Sequence, residues 1–128
     1  MDRKTYIILS VSYAFLILLL SSISKPPSVE KPDFDKIEHV IEYSILGFLV
    51  LGCFEIKNEL KIILFVVLVC SLYGVINEIY QYSIPGRYCS SLDMVANSIG
   101  SIFGVVIKLK FPKGLVRKFN VLSSSKSF

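Results

Sequence analysis

Four apolar stretches follow one another along the chain, and three of them are too short to cross a bilayer. The first, Tyr6 to Ile23, lies in an uncharged run that is long enough to span unaided. The other three, Tyr43 to Phe54, Ile62 to Ile76 and Met94 to Ile107, hold about 12, 15 and 14 residues, whereas a transmembrane helix needs about 20. To reach full length, each of these three helices must draw polar residues into the membrane.

Those polar residues lie on one particular side of each short stretch. They are Glu38, His39 and Glu42 before the second stretch, Asn77, Glu78 and Gln81 after the third, and Asp93 before the fourth. Ionisable groups inside a membrane are costly and usually mark a functional site. Because consecutive helices run in opposite directions, the pattern predicts that all these groups lie at the same face of the membrane.

The composition is that of a small integral membrane protein. Hydrophobic residues make up 53% of the 128 residues, and the mean hydropathy is +0.63, which is too apolar for a soluble domain. We predict an all-α, polytopic membrane protein with one four-helix transmembrane domain over residues 1–112. The helices are expected at about 6–23, 37–54, 61–80 and 92–109, and residues 113–128 form a basic, then serine-rich cytoplasmic tail.

The first apolar stretch has a second interpretation, as a secretory signal. Arg3 and Lys4 give it a basic start, and Ser22-Ile23-Ser24 offers small residues for cleavage. Its apolar core is longer than the ~7–15 residues usual for a signal. We therefore favour a transmembrane helix.

Lysine and arginine predict the orientation. Ten lie on one side of a four-span arrangement, namely Arg3, Lys4, Lys57, Lys61, Lys108, Lys110, Lys113, Arg117, Lys118 and Lys126, and four on the other, Lys25, Lys31, Lys36 and Arg87. Positive residues concentrate in the cytoplasm, so both termini are predicted there, in a multi-pass protein of the bacterial plasma membrane. The net charge of +4 then indicates membrane lipids as partners, and not nucleic acid.

The connections carry turn and capping signals. Residues 25–33 contain three prolines and form a predicted outer loop. In the second outer loop, Pro85-Gly86 indicates a turn, and Ser91 is expected to cap a helix that starts near Leu92. The short connection Glu55 to Glu59 makes the second and third helices antiparallel neighbours.

Helical periodicity puts the polar residues of each helix on one face. At about 100° per residue, Asp35, His39 and Glu42 lie within roughly 60° of one another. The same holds for Gly74, Glu78 and Gln81, and for the set Asp93, Asn97, Gly100 and Gly104. Gly100 and Gly104 form a small-xxx-small pair that lets another backbone approach closely. We therefore expect the three polar faces to converge inside the bundle at its outer end.

Such a cluster suits acid–base chemistry. Carboxylates close together in a low-dielectric setting do not all remain ionised, and imidazole changes charge near neutral pH. The candidate catalytic residues are Glu78 and Asp93 as acid and base, with His39 as proton carrier. The candidate binding residues are Asp35, Lys36, Glu42, Tyr43, Gln81, Arg87 and Asn97. Among these, Arg87 would clamp an anionic headgroup, and Gln81 and Asn97 would orient it.

Each candidate also has a purely structural interpretation. Arg87 could form an ion pair with Asp93, His39 could be a hydrogen-bonded structural histidine, and Asn97 could join helices through hydrogen bonds. Metal binding by His39 together with Glu42, Glu78 or Asp93 is the less favoured alternative, because the spacing fits no specific metal-ligand pattern. We therefore expect no metal site and no cofactor.

The polar residues in their order resemble the VanZ-like family of small bacterial membrane proteins. The resemblance covers about 70 residues and is carried by Asp35-Lys36, His39, Tyr43, Glu78, Gln81, Pro85-Gly86-Arg87, Asp93, Asn97, Gly100 and Gly104. It implies a role like that of the founding member, which gives low-level resistance to the glycopeptide antibiotic teicoplanin. It carries no mechanism.

Three functions are compatible with the pattern. The first is a membrane enzyme or binder for an anionic envelope component, such as a lipid-linked glycan, a phospholipid or a teichoic-acid unit. The second is a non-catalytic scaffold or partner of an envelope enzyme, in which the polar cluster only holds helices together. A small ion transporter comes last, because the predicted cytoplasmic half, including residues 47–54 and 62–69, is apolar.

The predicted orientation can be tested with the chain's own cysteines. Cys89 is expected in an outer loop and Cys53 near the cytoplasmic face. A membrane-impermeant thiol reagent added to intact cells should therefore modify Cys89 and leave Cys53 protected. Preferential modification of Cys53 would contradict the orientation.

Overall fold

The computed structural model describes residues 1–24, 32–55 and 59–110, which form four helices. These are α1 (Arg3–Ser21), α2 (Pro32–Gly52), α3 (Glu59–Tyr82) and α4 (Ser91–Lys110), and this part of the chain contains no strand. The all-α prediction is confirmed. The predicted tail and most of the first outer loop lie outside the described residues.

The helix starts follow local capping chemistry. The Asp2 side chain accepts a hydrogen bond from the backbone of Thr5 and caps α1. The α2 helix begins at Pro32, earlier than the expected start near residue 37, because proline is favoured at a first helical position and Asp33 and Asp35 complement the helix dipole. The acidic residues that precede the apolar stretch, such as Asp35, therefore belong to α2 itself.

The cap of α4 lies one residue earlier than the sequence suggested. Ser90, and not Ser91, precedes the helix, and its Oγ accepts a hydrogen bond from the backbone N–H of Asp93 at 3.4 Å. The backbone N–H of Met94 donates to the Ser90 carbonyl at 3.2 Å. Asp93 is thereby fixed in the first turn of α4.

The distribution of polarity is inverted relative to a soluble protein. Large apolar side chains such as Val11, Ile76 and Phe103 are exposed around the bundle, at 66%, 63% and 55%. The buried side chains include a polar set: Ser10, Ser21, His39, Asn77, Glu78, Gln81, Asp93, Asn97 and Ser101. Water would disfavour such a surface, whereas lipid chains favour it.

Within the described residues, three helices are long and apolar enough to cross a membrane. They are α1, α3 and α4. The α2 helix is not among them because its first half is rich in charge, carrying Asp33, Asp35, Lys36, Glu38 and Glu42. It packs most extensively against α4 and also contacts α1 and α3.

Glycines bring the backbones of α2 and α4 into direct contact. A Cβ atom on Gly100 would lie 2.5 Å from the carbonyl oxygen of Val40, and one on Gly104 would overlap the carbonyl oxygen of Ser44. On the α2 side, a Cβ on Gly47 would lie 2.6 Å from the carbonyl oxygen of Ser101. The expectation that the small-xxx-small pair admits another backbone is thus confirmed, and the partner is α2.

A tight turn follows α3. The backbone N–H of Arg87 donates to the carbonyl of Ile84 at 3.1 Å, and Gly86 has a φ of 80°. Pro85 precedes it, which gives the proline–glycine pattern of a type II turn. The predicted turn is confirmed, and it brings Arg87 back toward the bundle.

We expect Gly104→Ala to destabilise the bundle by about 1–3 kcal/mol, because the added methyl group meets backbone that cannot rotate away. The measurement is the free energy of unfolding in mixed detergent micelles. Ile102→Ala is the control, since Ile102 is exposed on the same helix. A Gly104→Ala variant as stable as the wild type would contradict the described α2–α4 packing.

Candidate functional site

His39 lies at the centre of a group of carboxylates contributed by three helices. Its Nε2 atom lies 3.5 Å from Oε1 of Glu78. The Oδ2 atom of Asp35 and the Oδ2 atom of Asp93 each lie 4.0 Å from the same nitrogen. His39 is 4% exposed, and Glu78 and Asp93 are buried. We call these four residues the carboxylate–histidine cluster. It forms where α2 begins, α3 ends and α4 begins.

The Glu78 carboxylate accepts a hydrogen bond at one oxygen and has no hydrogen-bond partner at the other. Its Oε2 atom accepts a hydrogen bond from the backbone N–H of Ser90 at 3.2 Å. Ser90 caps α4, and the N-terminus of a helix favours negative charge. The Oε1 atom has no hydrogen-bond partner and lies nearest to His39. Glu78 is therefore positioned by α4 with one oxygen directed into the cluster.

A small open recess lies beside the cluster. Asp35, Glu38, His39 and Glu42 of α2 line one wall, and α1, Gln81 and Arg87 supply the others. Glu78 and Asp93 are not part of this lining. His39 therefore borders the recess and also lies within 4.0 Å of the two buried carboxylates.

Arg87 contacts backbone carbonyls at the end of α1. Its Nε atom donates to the carbonyl of Ile23 and its Nη2 atom to that of Leu20, each at 3.1 Å. A cation at the C-terminus of a helix is favourable. Neither interpretation of Arg87 drawn from the sequence named this contact, which anchors α1 at the recess. The side chain within 4.0 Å of Asp93 is that of His39.

Ser21 joins α1 to α3 next to the recess. Its Oγ atom accepts hydrogen bonds from the side-chain amides of Asn77, at 2.9 Å, and of Gln81, at 3.1 Å. All three residues are buried. Sequence analysis did not single out Ser21; its one signal was a serine at the end of an apolar run that faces polar residues of another helix.

A second layer of buried polar atoms lies below the cluster. Both amide atoms of Asn97 and the hydroxyl of Tyr43 have no hydrogen-bond partner. Asn97 packs against Gly74, where a Cβ atom would lie 2.9 Å from its own Cβ. Neither Tyr43 nor Asn97 lines the recess. The amide of Asn97 therefore makes no interhelical hydrogen bond in this structure, and its role in binding stays a prediction.

The remaining predicted binding residues lie at the recess or next to it. Asp35 and Glu42 line it together with Gln81 and Arg87. Lys36 follows Asp35 in the first turns of α2 and is half-buried. Asp35 is the most accessible member of the cluster, with a side chain that is 36% exposed.

These features define a small helical membrane protein with a buried acidic–imidazole cluster beside an open polar recess. The chain belongs to the VanZ/LLP1 family, whose model matches residues 4–111. The family resemblance drawn from the sequence is thereby confirmed. No curated protein and no solved structure gives a significant match to the chain.

Ser21→Ala should destabilise the protein by about 1 kcal/mol, since two buried amides lose their acceptor and interhelical hydrogen bonds in membranes average about 0.6 kcal/mol each. The measurement is again the free energy of unfolding in mixed micelles. Ser98→Ala is the matched control, because the Ser98 hydroxyl donates within its own helix, to Met94. An equal effect of the two changes would argue against the α1–α3 link.

Proposed function

We propose that this protein is a multi-pass protein of the bacterial plasma membrane whose carboxylate–histidine cluster performs acid–base chemistry on a lipid-linked cell-envelope component. The observation that carries the proposal is the position of His39. Its Nε2 atom lies within 4.0 Å of three carboxylates. The same residue also borders the recess. An imidazole so placed can transfer a proton between a molecule in the recess and a buried acid.

The two buried acids have different surroundings, which suits different roles. Glu78 is fully buried and fixed by the N–H of Ser90, whereas Asp93 lies in the first turn of α4 with its own backbone N–H bonded to Ser90. We assign Glu78 as the acid–base partner of His39, because its unpaired Oε1 is the nearest carboxylate oxygen. Asp93 orients the imidazole from the other helix.

The envelope component would lie with its polar part in the recess and its apolar part along the exposed side chains of the helices. The recess walls carry the carboxylates of Asp35, Glu38 and Glu42 and the guanidinium of Arg87. A bare anion would be repelled by so many carboxylates. An anionic headgroup would therefore bind at the Arg87 side of the recess or through a cation that offsets the negative charge.

A contribution to glycopeptide resistance is the expectation that family membership brings. The topology argued from lysine and arginine supports it, since it places the cluster at the outer leaflet, where envelope precursors are exposed. Resistance would then follow from a change in an envelope component, and not from contact with the drug.

One set of contacts favours a second function, that of a non-catalytic scaffold. The Glu78–Ser90 bond and the bonds of Ser21 with Asn77 and Gln81 join α1, α3 and α4 at the same end of the bundle. Bonds of this kind would be needed in a protein that only supports an envelope enzyme. The cluster would then be structural.

The substitution Glu78→Gln separates these two functions. It keeps the shape and the acceptor for the Ser90 N–H but removes the acid–base group. In a teicoplanin-susceptible host, the proposal expects the wild-type chain to raise resistance and Glu78→Gln to return it to that of cells without the protein, at equal protein level in the membrane. Envelope lipids and precursors of both strains should be compared in parallel.

Glu59→Gln serves as the control, since it is the same change on the same helix, at the exposed opposite end. Full resistance in the Glu78→Gln strain would overturn the acid–base proposal and favour the scaffold. A Glu78→Gln strain in which the protein level and the resistance fall in proportion would also overturn the acid–base proposal and favour the scaffold.

A further inference from the structure

Three groups of the cluster have the arrangement of metal ligands. One ligand atom from each of Asp35, His39 and Asp93 lies within 4.8 Å of the other two. Imidazole nitrogen and carboxylate oxygen are ligands that zinc accepts, at about 2.0–2.2 Å. In a tetrahedral site such bond lengths put ligand atoms roughly 3.4 Å apart. The carboxylates of Asp35 and Asp93 each lie 4.0 Å from His39 Nε2, so binding an ion would draw the ligands slightly closer together.

Glu78 gives an independent indication of a missing partner. Its side chain is fully buried, and its Oε1 atom has no hydrogen-bond partner although it is directed at His39 Nε2. Buried polar atoms in folded proteins are almost always paired, and an unpaired one calls for an explanation such as a bound ion. A cation bound at the imidazole would put positive charge next to this oxygen.

Charge balance points the same way. The buried carboxylates of Glu78 and Asp93 both lie beside the imidazole of His39. Separating charge from water is costly unless it is compensated nearby. A divalent cation would offset two negative charges at the centre of the cluster.

We propose that Asp35, His39 and Asp93 bind a divalent cation of the zinc type, with Glu78 next to the ion and not among its ligands. The sequence prediction of no metal site rested on linear spacing, and the three ligands come together only when α2 and α4 pack. The ion would enter from the recess, which Asp35 and His39 both line. A His39 nitrogen that binds the ion cannot carry a proton at the same time, so with the ion bound Glu78 alone would be the acid–base group of the proposed function. That the ion then holds an anionic headgroup rests on the proposed function.

The test uses the full-length chain, purified in detergent, treated with a chelator and then titrated with Zn²⁺. We expect one equivalent of bound zinc by elemental analysis and a higher Tm in its presence, since a ligand that binds only the folded state stabilises it. His39→Gln and Asp93→Asn should each weaken zinc binding by at least about tenfold. Glu59→Gln, at the far end of α3, should bind like the wild type.

Asp35→Asn keeps the test decisive if a change at a buried position prevents folding, because Asp35 is partly exposed. It too should weaken zinc binding by at least about tenfold. Absence of bound zinc in the wild-type chain would overturn the proposal. Equal binding by wild type and the Asp35 and Asp93 variants would also overturn it, since a single histidine would then account for the zinc.

The outcome is separable from that of the resistance experiment, since zinc titration uses neither cells nor lipid substrate. Bound zinc together with full resistance of Glu78→Gln cells would leave the metal site standing and remove the acid–base proposal. Loss of resistance in Glu78→Gln cells, together with no zinc bound by the purified wild-type chain, would remove the metal site and leave the acid–base proposal standing.

Discussion

The direct contact between the backbones of α2 and α4 determines where every group at the polar end can lie. Gly100 and Gly104 of α4 leave no side chain between the two helices, and Gly47 does the same on α2. Because the helices touch, His39 on α2 comes within reach of Asp93 on α4. A side chain at either α4 glycine would push α2 outward and open the cluster, although neither glycine touches it.

The buried polar atoms divide into two sets with different consequences. The amides of Asn77 and Gln81 donate to Ser21, and the backbone N–H of Ser90 donates to Glu78, and these bonds hold α1, α3 and α4 together. By contrast, a second set of atoms remains without hydrogen-bond partners: His39 Nδ1, the Tyr43 hydroxyl, Asn77 Oδ1, Glu78 Oε1 and both amide atoms of Asn97. A buried polar atom without a hydrogen-bond partner costs free energy, and in a membrane no bulk water offsets that cost. We interpret the first set as what supports the bundle and the second as what a ligand or ion would satisfy.

Much of the fold could be predicted from the sequence because apolar length and helical periodicity are local properties. They indicated four helices, the polar faces of three of them and the turn at Pro85-Gly86. The α2 helix begins earlier than the apolar stretch indicates, at Pro32, since hydropathy does not detect a charged segment that is helical. The cap of α4 was wrong by one residue, because Ser90 and Ser91 are equivalent until the backbone geometry is known.

The candidate site could be predicted only as a set of residues, not as an arrangement. Periodicity indicated that Glu78, Asp93 and His39 face inward, but which oxygen is held by Ser90 and which is unpaired depends on tertiary packing. The contact of Arg87 with α1 had no sequence signal, since its partners are backbone carbonyls.

The central claim is that His39 and Glu78 interact directly across α2 and α3. A double-mutant cycle of His39→Gln and Glu78→Gln, measured as the free energy of unfolding in mixed micelles, tests it most directly. The account predicts a coupling energy of about 0.5–3 kcal/mol, as found for residues in contact. Additive effects of the two changes would contradict it.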